Sequence, residues 1–209
     1  MTDVALAPRI KSIGLADYAA VLARMREFTA HRDTETPDEL WVVEHPPVYT
    51  LGQGADPRFG PKTANAIPVV QAERGGEITY HGPGQAVIYT MVDIARRSIK
   101  VKTFVQMLEQ CVINFLISYE IPAERKAGAP GVYVGGAKIA SLGIRVTRGR
   151  AWHGLALNVD MDLAPFAAID PCGYPGLRVV QARDFGVMGT AKEVGIRLAR
   201  LIAHRLEHA

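Results

Sequence analysis

Gly135 and Gly136 stand side by side between two extended apolar runs, 132–134 before them and 137–146 after. A glycine pair in that setting is a hairpin signal, because the two-residue turns that match strand twist need positive φ at their central positions. A second hairpin follows through Thr147, Arg148, Gly149 and Arg150 into a strand over 151–159. Hairpins join antiparallel strands, so this half of the chain must build sheet.

Helices are predicted around it. Tyr18, Leu22, Met25 and Phe28 recur at helical spacing within 15–32, and Phe104, Leu108, Cys111, Phe115 and Tyr119 do so within 103–119. A closing helix starts at Thr190 with Glu193 three residues on, a capping box, and is expected to bury Val194, Leu198, Leu201 and Leu206. Pro46 and Pro47 split 40–51 into two short strands. Further strands are expected over 67–72 and 86–92, a surface loop over 53–66 and a turn over 128–131. With 209 residues, 48% of them apolar, and no repeat or linker, one domain spanning 1–209 is expected.

Composition narrows the function classes. A net charge of +3 without runs of lysine and arginine argues against nucleic acid. Two cysteines, Cys111 and Cys172, are too few for a disulfide scaffold and fit a reducing compartment, so the expected location is cytoplasmic. No secretory signal or continuous apolar stretch of about 18 residues is evident, so no membrane partner is expected.

The segment 74–85 concentrates four glycines, a proline, an arginine and a histidine. Glycine lets a ligand approach the main chain closely, at an entropic cost that a structural strand would avoid, so the segment reads as a ligand wall; the alternative is a glycine-bent loop between strands. Cys172 sits in Asp170, Pro171, Cys172, Gly173, Tyr174, Pro175, Gly176, which can be neither helix nor central strand. A thiol on such a turn is placed for attack, with the Gly173 N–H available to an oxyanion, and it needs a nearby cation or base to become a thiolate. Lys138 answers that need. By strand parity it shares a face with Ala140, Leu142, Ile144 and Val146, so it either snorkels outward or occupies a pocket, where desolvation lowers a lysine pKa. Cys111, on the apolar face of its helix, reads as a packed hydrophobe. His153 shares parity with Leu155, Leu157 and Val159, which suits a hydrogen-bonded core histidine as well as a catalytic one, and His81 lies inside the wall. His204 and His208 at the chain end read as a solvated helix, and no metal is expected. Phosphate-loop, dinucleotide and serine-hydrolase motifs are absent, so no cofactor is expected.

These residues resemble one family. Glu44, His45, Pro46, Pro47, Val48, Tyr49, Thr50, Leu51, Gly52, the 74–85 wall, the 131–146 segment with Lys138, the 152–159 segment with His153 and Asn158, and Pro171, Cys172, Gly173 follow the order and spacing of the octanoyltransferases. One departure is Val180, Gln181, Ala182, where the family tends toward Val-Thr-Ser. The resemblance implies an α+β fold, a mixed, largely antiparallel sheet flanked by helices, as in the biotin and lipoate protein ligases. It makes Cys172 the residue that carries the acyl group as a thioester and Lys138 its partner. Substrate contacts then fall on Arg74, Gly75, Gly76, Glu77, Ile78, Thr79, Tyr80 and His81, on Ser141, Leu142 and Gly143, and on Gly154, Leu155 and Ala156. Implied partners are octanoyl-acyl carrier protein as donor and, as acceptors, lipoyl domains of 2-oxoacid dehydrogenase complexes and the glycine cleavage H protein, with the enzyme a monomer. Arg145, Arg148 and Arg150 could offer acidic carriers a landing patch, against the alternative of a solvated turn. The competing readings are an ATP-dependent lipoate or biotin ligase, a cysteine thioesterase using Cys172 with His153, and a noncatalytic acyl or lipoyl-domain binding module.

Overall fold

A computed structural model describes residues 7–56, 60–62, 66–170 and 176–208. The chain runs β1 (Arg9–Leu15), α1 (Tyr18–His31), β2 (Glu39–Glu44), β3 (Val48–Leu51), β4 (Val69–Gln71), β5 (Ile78–His81), β6 (Gln85–Asp93), α2 (Val101–Ile117), β7 (Ala123–Lys126), β8 (Ala129–Val134), β9 (Ala137–Thr147), β10 (Arg150–Asn158) and α3 (Ala191–Glu207). Both expected hairpins form. Val134 pairs with Ala137 across Gly135 and Gly136, and Thr147 pairs with Arg150 across Arg148 and Gly149. All four turn residues have positive φ, between 51° and 77°, as tight primed turns require.

Seven strands make the main sheet in the order β1-β2-β6-β10-β9-β8-β7. Among the described strands only β1 and β2 run parallel within it. A second sheet has the order β4-β3-β5. Pro46 and Pro47 therefore do more than separate two strands: β2 belongs to the main sheet and β3 to the small one. The wall also gains structure, since its middle third is β5, paired antiparallel with β3.

The larger core lies between the main sheet and helices α2 and α3, with Phe104, Leu108 and Leu116 from α2 and Val194, Leu198, Ile202 and Leu206 from α3 against Val42, Ile88 and Leu157. Leu201 is a correction: it is 41% exposed, while Ile202 takes the buried place because the α3 stripe steps by four at that point. The capping box forms as expected, with Thr190 Oγ1 accepting from the Glu193 N–H at 3.2 Å and Glu193 Oε2 accepting from the Thr190 N–H at 2.8 Å. On the opposite face of the sheet, Val21, Leu22 and Met25 of α1 pack on Trp41, Val87, Met91 and Trp152. The architecture is α+β, a mixed, largely antiparallel sheet flanked by helices.

Two further strands differ from expectation. Within the region read as a turn over 128–131, Ala129 already begins β8. Its partner β7 carries Glu124, Arg125 and Lys126 and shows no apolar alternation, as suits an exposed sheet edge where charge discourages pairing with other chains. Tertiary contacts hold it: Arg125 donates to Glu109 Oε2 at 3.0 Å and to the Gln106 carbonyl at 2.7 Å.

Candidate active site

On the α1 side of the main sheet, the wall, β6, β9 and β10 enclose a cavity of about 50 Å³. The wall contributes Arg74, Gly76, Glu77, Ile78, Thr79 and His81, β9 contributes Ser141, Leu142 and Gly143, and β10 contributes Gly154, Leu155 and Ala156. Every expected substrate contact lines it except Gly75 and Tyr80. Gly75 lines an adjoining cavity of about 300 Å³ that shares Gly76, Glu77, Leu142 and Gly143 with the first and extends to Pro130. Tyr80 turns away and packs its ring 5.6 Å from Tyr49 and 5.4 Å from Phe166. Tyr18, Val87 and Tyr89 also line the cavity and were not anticipated. Tyr18 carried only a helical-stripe signal, because an amphipathic face looks the same whether it covers a core or a pocket.

Close backbone approach explains the small residues. A Cβ on Gly154 would stand 2.1 Å from the Ile88 carbonyl oxygen, and one on Gly52 would stand 1.8 Å from that of Gly76, so side chains there would force the cavity walls apart. Arg74 then fastens the wall from within. Its Nη1 donates to the carbonyls of Gly75 and Glu77 at 3.1 and 2.9 Å, and its Nη2 donates to the Thr50 carbonyl and hydroxyl at 2.6 and 2.8 Å. The fork geometry of a guanidinium suits this role, which a lysine could not fill.

Three histidines cluster here. His45 Nδ1–H donates to the Ala16 carbonyl at 2.6 Å, which leaves Nε2 to accept from the Tyr89 hydroxyl at 2.7 Å. His81 Nδ1 pairs with Gln85 Oε1 at 2.7 Å, Gln85 donates to Asn158 Oδ1 at 3.0 Å, and Asn158 donates to the Val180 carbonyl at 3.0 Å. His153 departs from the hydrogen-bonded core histidine that parity suggested. Its φ is +62°, outside the β region, so strand alternation does not hold at this residue. Its ring stacks on Trp152 at 4.6 Å, and neither ring nitrogen has a hydrogen-bond partner among the described residues.

Burial holds His81 and His153 each down to about 3, helped in both cases by the positive charge of Arg74. Both are neutral at pH 7. An unfolded chain would protonate them near 6.5, so it takes up protons that the folded one refuses, and stability is lost as pH falls from that value toward 3. Two such groups give a slope of about 2.7 kcal/mol per pH unit once pH is below about 6. Urea unfolding at pH 7.5 and 5.5 should show the midpoint drop, with a shallower dependence in His81→Gln; a midpoint independent of pH would contradict the assignment.

Lys138 is in a pocket rather than snorkelling. It is 1% exposed, its Nζ donates to the Pro130 carbonyl at 3.1 Å, and it lies 5.3 Å from the centroid of the Tyr133 ring. Its backbone is tied to the chain that follows residues 171–175: Lys138 N–H donates to the Arg178 carbonyl at 2.8 Å and the Val180 N–H donates to the Lys138 carbonyl at 3.0 Å. Cys172 itself, with 171–175, lies outside the described residues. Cys111 is buried, and burial pushes its thiol up to about 11, which leaves it un-ionised and inert. Of the arginines around the second hairpin, Arg145 is bonded to the Gln53 amide and Arg150 lies 3.7 Å from Asp93, while Arg148 is exposed at the turn. Among the described residues no helix is long and apolar enough to cross a membrane.

The family described as the lipoyl protein ligase A/B catalytic domain matches residues 17–194. An octanoyltransferase from Dechloromonas aromatica is 53% identical over 96% of this chain and 97% of its own length. The chain belongs to the octanoyltransferase family. Another octanoyltransferase, from Nitrosococcus oceani, is 50% identical over 96% of this chain and 89% of its own. As a member of this family the protein is an acyltransferase. Solved structures extend the likeness to the fold alone: a lipoate-protein ligase A bound with ATP superposes with a TM-score of 0.76 at 16% identity, covering 95% of this chain and 86% of that one. A biotin protein ligase from Aquifex aeolicus gives 0.56 at 12% identity, covering 97% and 71%.

Proposed function

We propose that this acyltransferase, a cytoplasmic monomer with one catalytic domain, moves an octanoyl group from acyl carrier protein to the lysine amine of lipoyl domains, in 2-oxoacid dehydrogenase complexes and the glycine cleavage H protein. The Cys172 thiolate attacks the donor thioester carbonyl, the carrier thiol leaves with a proton from Lys138, and octanoyl remains as a thioester on Cys172. The acceptor lysine amine then attacks that thioester, Lys138 takes the proton the amine loses, and the Cys172 thiolate is released. Because the thioester keeps its reactivity through both steps, ATP has no part in the reaction. The mostly apolar cavity takes the acyl chain, each buried methylene contributing about 0.8 kcal/mol.

The observation that supports this reading most is the junction at Lys138. A fully buried lysine sits on the strand that, three residues on at Ser141, starts to line the cavity, and its own backbone is bonded to Arg178 and Val180, six and eight residues after Cys172 in the sequence. His153 suits the thioesterase alternative poorly, since an imidazole held at about 3 is a weak base at neutral pH.

Incubation with octanoyl-acyl carrier protein, without ATP, should give an octanoyl adduct by intact mass that is hydroxylamine-labile and absent from Cys172→Ala. An adduct that maps to Cys111, or one that forms only when ATP is added, would refute the mechanism.

A further inference from the structure

One peptide group joins Lys138 to a buried carboxylate on α2. The carbonyl of Pro130 accepts from Lys138 Nζ at 3.1 Å, and the N–H of Gly131, the other half of the same peptide, donates to Glu109 Oε1 at 3.0 Å. A planar trans peptide points its C=O and its N–H in opposite directions, so an anchor on one aims the other. Glu109 thereby sets where the acceptor of the Lys138 amine points. Pro130 also lines the cavity of about 300 Å³ that adjoins the acyl cavity, which places this peptide at the edge of the site.

The peptide needs an anchor because of its glycine. Gly131 has a φ of +144°, and a Cβ there would stand 2.8 Å from both Lys138 Cε and the Ala140 carbonyl oxygen. Glycine alone leaves room for the lysine stem, yet glycine also offers the least resistance to rotation of the peptide that precedes it. Glu109 supplies that resistance. Among the described residues that α2 buries it alone is charged, and a carboxylate is costly in such a place unless its oxygens are bonded. Its second oxygen accepts from Arg125 Nε at 3.0 Å, and Arg125 in turn donates to the Gln106 carbonyl at 2.7 Å and to Gln110 Oε1 at 2.9 Å. Arg125 thus fixes the carboxylate, the carboxylate fixes the peptide, and the peptide receives the amine.

Resting on the assignment of Lys138 as the acid and base of acyl transfer, we propose that Glu109 is a positioning residue for Lys138, acting through the Pro130–Gly131 peptide. Glu109 lines neither cavity, so its effect on the reaction runs through the lysine. What it supplies is an accepting oxygen at one place. An uncharged acceptor that reaches the Gly131 N–H serves as well, whereas a carboxylate drawn back by one methylene, about 1.5 Å, falls short of it.

The test is a double-mutant cycle, read as the rate of octanoyl adduct formation on Cys172 from octanoyl-acyl carrier protein, by intact mass at early times. Glu109→Asp keeps the charge but loses the reach, and should slow the adduct by about ten- to a hundredfold, part of what one positioned acid and base supplies. Glu109→Gln keeps an accepting oxygen and should stay within a few-fold of the wild type. In Lys138→Met, which has no amine to hold, Glu109→Asp should add almost nothing, whereas a structural role would slow both backgrounds by the same factor. Equal slowing in the two backgrounds would overturn the proposal, as would a folded Glu109→Asp protein as fast as the wild type or a Glu109→Gln protein as slow as Glu109→Asp. If Glu109→Asp does not fold, hydrogen exchange of the Gly131 amide in the wild-type protein decides: protection like that of a strand interior supports the anchor, and exchange at the rate of an open loop removes it. The wild type and Lys138→Met separate the levels of inference. Without a wild-type adduct on Cys172 the proposed function fails, and wild-type rates in Lys138→Met take both residues out of the mechanism; a slow Lys138→Met with equal slowing by Glu109→Asp removes Glu109 only.

Discussion

Lys138→Met is expected to leave a folded protein whose octanoyl transfer is slower by about a hundred- to ten-thousand-fold, the range that one positioned acid and base commonly supplies. Methionine fills nearly the same buried volume without a charge, and among the described residues it strands the Pro130 carbonyl, a cost of about 1–3 kcal/mol. Arginine is not a conservative alternative. Gly131 packs so tightly on this side chain that a Cβ built there would stand 2.8 Å from Lys138 Cε and 3.2 Å from Nζ, which leaves no room for a guanidinium. Lys138→Arg should therefore lose activity and melt at a lower temperature than Lys138→Met. Following thioester formation and acceptor acylation separately is informative, since a group that serves as acid and then as base slows both steps. Wild-type turnover in a folded Lys138→Met protein would remove the residue from the mechanism.

The largest stability effect is expected far from the cavity, at Asp38. This carboxylate is fully buried and accepts from Arg32 at 2.6 Å, Arg96 at 2.8 Å, Arg97 at 2.7 Å and the Asp93 N–H at 2.8 Å. Burial opposes its charge, but the Asp93 N–H and the guanidinium groups of Arg32 and Arg97 prevail and hold its carboxyl below the usual range. Its value to the fold lies in what remains when it is removed. Asp38→Ala leaves the side chain of Arg32, 1% exposed, with uncompensated charge and takes the carboxylate away from the equally buried Arg97, and breaking a buried pair in this way commonly costs about 3–5 kcal/mol. These arginines link α1, the start of β2, the end of β6 and, through the Arg97 bond to the Leu206 carbonyl at 2.6 Å, the last turn of α3. Denaturant unfolding should show the loss with acyl-adduct formation by the residual folded protein intact. A loss below about 1 kcal/mol would mean that the arginines find water or other partners without it.

No motif marks Asp38. It precedes β2 in the sequence and is separated from Arg96 and Arg97 by the five strands β2 to β6, so the cluster exists only once β2 and β6 have paired. Lys138 lies at the other extreme. An amine in an apolar alternation, at the start of a strand defined by a glycine hairpin, is anomalous in one dimension, and the anomaly persists in three. His153 falls between: the residue is conspicuous, but parity puts it on the wrong face because parity presumes an extended backbone, which φ at +62° abandons. Leu201 misleads for a related reason, since spacing identifies a helical stripe without saying which of its edges the neighbouring elements cover.

What the residues settle alone is local: the two tight hairpins, the capped start of α3, the helical stripes and the glycine-rich wall each follow from interactions among positions a few apart, where φ preference and side-chain period suffice. Tertiary structure alone decides that β2 and β3 part into different sheets, that charged β7 pairs at an edge, and that Tyr18 lines a cavity as well as packing into the core. Those outcomes depend on which surfaces meet after the chain has closed on itself, and contact between distant segments leaves no period in the sequence to read.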